Sequence, residues 1–408
     1  MGTLIKFELK KLYKSRLNQI VFLGTCILMI AIMLLSIRST WTYNKEGNRL
    51  SGLEGIQYDK EVMKELEGPL TDERVESLIK EYQEMLADPD NLEDGFFKDS
   101  VRYRYYYPKQ HLLMLIGHNY DEIFTHTFGG NLSSLDLEDR MDFYEAGRER
   151  ILNTMLYSED WKYSNEESEF WEKKEDNINT PIYYGYAGGW GRLFDVLGFF
   201  IIPFFSLGVL LARTYSGEYE SGAEHIILTT KYGKTKVILA KNIAALLFGG
   251  LFSLVNIAIP YVIILSAFGA EGGTLPIQNY DGQIPYPYTF VQTILLYSVI
   301  CLVSAFCLTA VILFLSARMK TALPVLTATL VLILSGAFLQ YNSNGVYNHI
   351  ISLLPYKVIP AFDLTNLMSY PFGDFVLDYP SMIFVVYLTL GAVLIFFAGK
   401  AFRRHEVE

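Results

Sequence analysis

Six long apolar stretches constrain this chain more than any other feature. They occupy residues 19–37, 193–212, 242–268, 291–317, 322–340 and 381–398. A helix needs about 20 apolar residues to cross a hydrocarbon core about 30 Å thick. Inside that core every backbone N–H and C=O must be paired, and a helix pairs them within itself. The expected fold class is therefore an all-α integral membrane protein with six transmembrane helices. The third and fourth stretches are long enough to tilt or to run past the bilayer. The positive mean hydropathy of +0.22 agrees.

Charge then divides the chain. The net charge is −10 over 408 residues, but residues 38–192 hold 18 Lys/Arg against 32 Asp/Glu, a local net of −14. The remainder sums to +4. Such asymmetry suggests an acidic, soluble-type domain inserted into a membrane body. Nucleic acid is not an expected partner, since its binding needs a basic face. The three cysteines, Cys26, Cys301 and Cys307, all lie in apolar stretches and read as small packing residues.

Positive charge in the short loops sets the expected orientation. Lys6, Lys10, Lys11, Lys14 and Arg16 precede the first stretch, and residues 213–241 carry five more Lys/Arg. Arg318 and Lys320, then Lys400, Arg403 and Arg404, fall on the same side. Residues 269–290 have no Lys or Arg, and 341–380 have only Lys357. Both termini and the 399–408 tail are therefore expected in the cytoplasm, with residues 38–192 and the 341–380 loop outside. The expected setting is a cell membrane, a bacterial plasma membrane in particular. Residues 19–37 read as a retained anchor, because no small-residue cleavage site follows at "SIRSTWTYN". Residues 1–18 interleave apolar and basic positions, as a helix lying in the cytoplasmic interface does; a charged lead-in to the anchor is the alternative.

The 38–192 insert reads as mainly helical. Thr71 can cap a helix whose first turn holds Asp72 and Glu73. Val75, Leu78, Ile79, Tyr82 and Leu86 then recur at helical spacing, and "ADPDN" ends the run. A second amphipathic stretch covers 135–157, with Leu137, Met141, Tyr144, Ile151 and Met155 as inward candidates. "HLLMLIG" is too short to span and reads as core, while "VRYRYYYP" alternates like a strand. His111, His118 and His126, with Asp121 and Glu122, do not match H-E-x-x-H, so no metal is expected.

The membrane stretches contain almost no ionisable groups. Ion-driven carriers usually retain such groups, so any transport would draw its energy from elsewhere. Small and neutral polar residues align instead. Gly249, Ser253, Asn256 and Pro260 form one row, and Thr293, Tyr297, Cys301 and Ser304 another. Helix packing explains such rows; Ser253, Asn256, Tyr297 and Ser304 are also candidates to line a substrate path.

Residues 213–241, "RTYSGEYESGAEHIILTTKYGKTKVILAK", join two membrane stretches. "YGKTK" mimics the end of a phosphate-binding loop, but position 228 is Leu228 where that motif needs glycine. No catalytic or ATPase motif stands on this chain, and no cofactor is expected on it. A short helix is expected at about 222–230, with Ala223, Ile226, Ile227 and Thr230 on one side and Glu224, His225 and Thr229 more polar.

Taken together, "IKFELKKLYKSR", "GEYESGAEHIILTTKYGKTKVILAK" and the long segment before residue 381 resemble the permease subunits of type-2 ABC transporters, mostly exporters. The resemblance covers at most the 253 residues outside the insert. It implies that residues 213–241 hold a coupling helix docking into a separate ATPase, with Glu218, Glu220, Gly222, Glu224 and His225 at or near the contact. It implies ATP and Mg on that partner, a second permease copy or a related permease, and short external helices within 341–380. The expected function is export of an amphipathic substrate, peptide, lipid-like or drug-like. The alternative is a polytopic sensor or scaffold whose external domain binds a ligand. A large insert between the first two spans departs from the small members of that family.

Overall fold

The computed structural model describes residues 1–120, 130–158 and 162–404. It is mostly helical. Among the described residues, five helical runs are long and apolar enough to cross a membrane: Arg16–Ser39, Gly188–Ser221, Gly233–Phe268, Phe290–Arg318 and Tyr379–Arg403. They are compatible with a multi-pass membrane protein. The sixth apolar helix, Ala322–Phe338, has 17 residues and falls short of that set.

Local sequence explains where these helices start. Ser15 caps the Arg16–Ser39 helix by accepting from Asn18 N. Thr289 and Gln292 form a capping box at the head of Phe290–Arg318, and Asp378 accepts from Ser381 N to open Tyr379–Arg403. The bundle is closed by apolar packing and a few interhelical hydrogen bonds, among them Thr25 to Ser206 at 2.6 Å and Tyr261 to Ser298 at 2.8 Å. Gly391 lets the Phe306 ring lie directly on the Tyr379–Arg403 backbone, where any Cβ would collide with it.

The insert has its own core of Leu70, Val75, Ile79, Leu112, Leu113, Ile116 and neighbours. Thr71 accepts from Arg74 N and caps Asp72–Ala87, whose Val75 and Ile79 face inward. "HLLMLIG" falls within the helix Tyr107–Tyr120, and its leucines and Ile116 are buried. Two expectations need correction. "VRYRYYYP" is helical, running through Asp99–Val101 and one wide turn at Arg102–Tyr106 into Tyr107–Tyr120. Its tyrosines pair at i,i+4 rather than i,i+2: Tyr107 stacks with both Tyr103 and Tyr43, while Tyr106 meets Tyr82 and Phe97 on another side. The second amphipathic helix starts late, at Phe143, because Asp142 caps it; Met141, outside it, is exposed, whereas Ile151 and Met155 are buried.

Residues 341–378 hold the short helices Gly345–Ile351 and Pro355–Val358. They also hold a hairpin, Ser369–Phe372 with Phe375–Asp378, in which Phe372 pairs with Phe375 around Gly373 at φ 65°. The insert helix Asn165–Glu175 docks on this hairpin. Its buried Trp171 donates to Ser369 Oγ at 3.2 Å, and Lys174 pairs with Asp378. One end of the bundle thus carries the insert fused to the 341–378 segment. The opposite end carries the N-terminal helix Gly2–Lys14 and residues 213–237.

Candidate functional site

At that opposite end the chain does not form a loose loop. The helix continues past Ala212 as Arg213–Ser221, and Gly222 turns it at φ +68°, a left-handed conformation that glycine adopts without strain. A seven-residue helix follows, Ala223–Thr229. Gly233 then opens one wide turn, Gly233–Val237, that enters Ile238–Phe268. A Cβ on Gly233 would strike the Ile227 carbonyl, so the short helix is pressed against this turn only because residue 233 lacks a side chain. The "YGKTK" motif is therefore a helix-entry turn.

Arg213–Ser221 touches the end of almost every helix around it. Ser316 Oγ accepts from the backbone N–H of Tyr215 and of Ser216, each at 3.0 Å, and donates to Ala212 O at 2.6 Å. This hydroxyl pins Phe290–Arg318 to the segment. Tyr215 Oη donates to Asn242 Oδ1 at 2.6 Å, and Tyr219 Oη to Ala317 O at 3.0 Å. Both rings lie against Phe402 of Tyr379–Arg403, at 4.8 and 5.6 Å between centroids. Glu220 accepts from Ala322 N at 2.9 Å, at the first residue of Ala322–Phe338, and pairs with Arg213 at 2.7 Å.

An ionic quartet, enclosed except at the exposed Lys11, ties in the N-terminal helix. Lys241 Nζ lies 2.5 Å from Glu218 and 3.1 Å from Glu8, and only 2% of the lysine side chain is exposed. Lys11 Nζ reaches the same two carboxylates at 3.0 and 3.6 Å. Burial works against the Lys11 charge, but Glu8 and Glu218 outweigh it and hold that ammonium above its ordinary pKa. Two cations and two anions from three segments balance one another. Asn18 completes the junction, its amide donating to Leu12 O and Leu210 O at 3.1 and 3.2 Å.

The expected partner-contact residues divide accordingly. Glu218 is buried in the quartet, and Gly222 shapes the turn. Glu220 is held sideways by Arg213 and Ala322. Glu224 is buried, with one oxygen 3.3 Å from His225 Nε2 and the other without a hydrogen bond among the described residues. His225 is exposed. The faces of the short helix are therefore not as periodicity suggested: Glu224 and Leu228 turn inward, and Ile226 turns out with 71% of its surface exposed. The open face is Ile226 and Tyr232 among His225, Lys231, Lys234 and Lys236. Sequence reasoning did not bring together Glu8, Lys11, Lys241, Ser316 and Phe402; the i,i+3 spacing of Glu8 and Lys11 was the one local signal.

The path candidates are enclosed. Ser253, Asn256 and Ser304 have no exposed surface, and Tyr297 has 2% and donates to Ile359 O. Ser253 Oγ, Asn256 Oδ1 and Ser304 Oγ make no hydrogen bond among the described residues. These positions pack helix on helix rather than face an opening. In the insert, His111 Nδ1 lies 3.1 Å from Tyr184 Oη, while Asp121, Glu122 and His126 lie outside the described residues. No group of three or more metal-ligating side chains gathers among the described residues.

No protein family, curated protein or solved structure matches this chain.

Proposed function

We propose that this chain is the membrane-spanning permease subunit of an ABC-type exporter, worked by ATP hydrolysed on a separate subunit. In this reading Ala322–Phe338 joins the five longer runs as a sixth span. Both termini and residues 213–241 face the cytoplasm of a bacterial cell, and the 38–192 insert lies outside. Two permeases, identical or related, would pair around the path of an amphipathic substrate.

The observation that carries the reading is the junction at Arg213–Ser221. A force applied to Ala223–Thr229 passes through one glycine into a segment bonded to the N-terminal helix and to the ends of four apolar helices. That is the construction a transmission element needs, since coupling travels through packed, hydrogen-bonded contacts. The docking face differs from the acidic one the resemblance suggested. Ile226 projects as an apolar knob within a rim of lysines, so the partner should offer an apolar pocket with acidic edges. Affinity purification of the tagged chain in mild detergent should recover an ABC ATPase. Ile226→Asp should reduce that recovery about tenfold or more, as loss of a central anchor does. Consistent recovery of no ATPase, or unchanged recovery with Ile226→Asp, would contradict the reading.

A further inference from the structure

Where the insert meets the bundle lies a cavity of about 460 Å³. That volume falls within the range of about 300–1,000 Å³ usual for small-molecule sites. Its wall comes from residues far apart in the chain: Thr42 and Tyr43, the Leu53–Glu65 helix, the start of Tyr107–Tyr120, residues 184–195, and Phe268 and Tyr280. Aromatic rings dominate, with Tyr43, Tyr107, Tyr184, Tyr186, Tyr280 and Phe268 all part of the lining.

The charges around this cavity do not cancel. Arg192 pairs with Asp195 at 3.5 Å, and Tyr280 Oη donates to Asp195 at 2.7 Å. Lys60, just outside the wall, pairs with Glu271. Burial and the nearby His118 both lower the His111 pKa, which favours its neutral form. Asp59 remains. Among the described residues it forms no ion pair, although it stands in the wall beside the tyrosines. Burial raises its pKa against the opposing hydrogen bond of Thr42, which is the behaviour of a carboxyl short of a counter-charge.

An uncompensated carboxylate among aromatic faces selects for one chemistry. A hydrophilic ion would lose its hydration in such a space. An organic cation meets the ring faces with its positive charge and the apolar wall with its remainder. A neutral or anionic molecule of the same size gains neither the rings' quadrupole nor the carboxylate. We propose that this cavity binds an amphipathic organic cation, an amine or quaternary ammonium compound with an apolar body, with Asp59 as its counter-ion. The proposal goes beyond the export reading and does not depend on it, because the site is complete on this chain without an ATPase.

The test uses the purified full chain in detergent, with tetraphenylphosphonium as the cation and triphenylphosphine oxide as its neutral counterpart, read by equilibrium dialysis. The expected result is saturable binding of one cation per chain. Asp59→Asn should weaken it about tenfold and Asp59→Glu only slightly, as expected when the charge rather than the shape of the group is lost. Tyr43→Leu keeps the bulk of the wall but removes a ring face, and should weaken the cation several-fold while leaving the neutral probe unchanged. Tyr43→Leu also serves as the informative variant if Asp59→Asn does not fold. Cation binding that is non-saturable, or equal in the parent and both variants, would overturn the proposal. So would equal weakening of both probes.

Discussion

The two ends of the bundle treat charge in opposite ways. At one end the buried Lys241 and the exposed Lys11 are matched by the enclosed carboxylates of Glu8 and Glu218. At the other end Asp59 stands in a cavity wall without a counter-ion among the described residues. Matched buried charge locks segments together, because moving any one of them leaves its partners unpaired in low dielectric. Unmatched charge in an open cavity leaves a place for something else. In the proposed reading the first end transmits and the second receives.

Removing one partner of the quartet should produce the largest effect. Lys241→Met leaves two carboxylates close together with only Lys11 between them, and should lower stability by about 3–5 kcal/mol. Thermal melting in detergent measures it. Adding Glu218→Gln to Lys241→Met should recover part of the loss, since the surplus negative charge goes. A loss below about 1 kcal/mol for the single change would mean that the quartet is not a lock.

A smaller loss is expected at the glycine turn. Gly233→Ala places a Cβ against the Ile227 carbonyl and should cost about 1–3 kcal/mol. The damage should be local, shown by faster proteolysis within residues 223–237 before the rest of the chain is cut. Wild-type cleavage at that segment would contradict the packing described.

The smallest effect concerns pH at the insert end. Burial raises the Glu175 pKa from about 4.5 to about 7, with Arg148 opposing and Asp176 adding. The folded insert therefore holds a proton that the unfolded chain releases. Stability linked to this group is full below about pH 4.5 and is lost as pH rises through about 7. Glu175→Gln should flatten that part of the pH profile of melting. An unchanged slope would assign it to other groups, such as Asp59.

The membrane helices were legible because length and apolarity are local properties. The Thr71 cap and the apolar Tyr107–Tyr120 core were legible for the same reason. The Ser369–Asp378 hairpin left a readable signal, Gly373-Asp374 between two phenylalanines, which a search for helices passes over. A short helix was legible at about 222–230, where Ala223–Thr229 lies, but its orientation was not. Ile226, Ile227 and Leu228 are consecutive, so every face of two turns presents an apolar side chain, and tertiary packing alone decides which is buried. The quartet was out of reach, because Glu8 and Lys241 are 233 positions apart and no periodicity links them.

Labelling at Ile226 decides whether the Ala223–Thr229 helix is a cytoplasmic docking element. Ile226→Cys, with Cys26, Cys301 and Cys307 replaced by serine or alanine, is treated with a membrane-impermeant maleimide in intact cells and in inverted vesicles. Modification is expected only in inverted vesicles, with protection there when the ATPase partner is bound. Modification in intact cells, or the same modification with and without the partner, would contradict it.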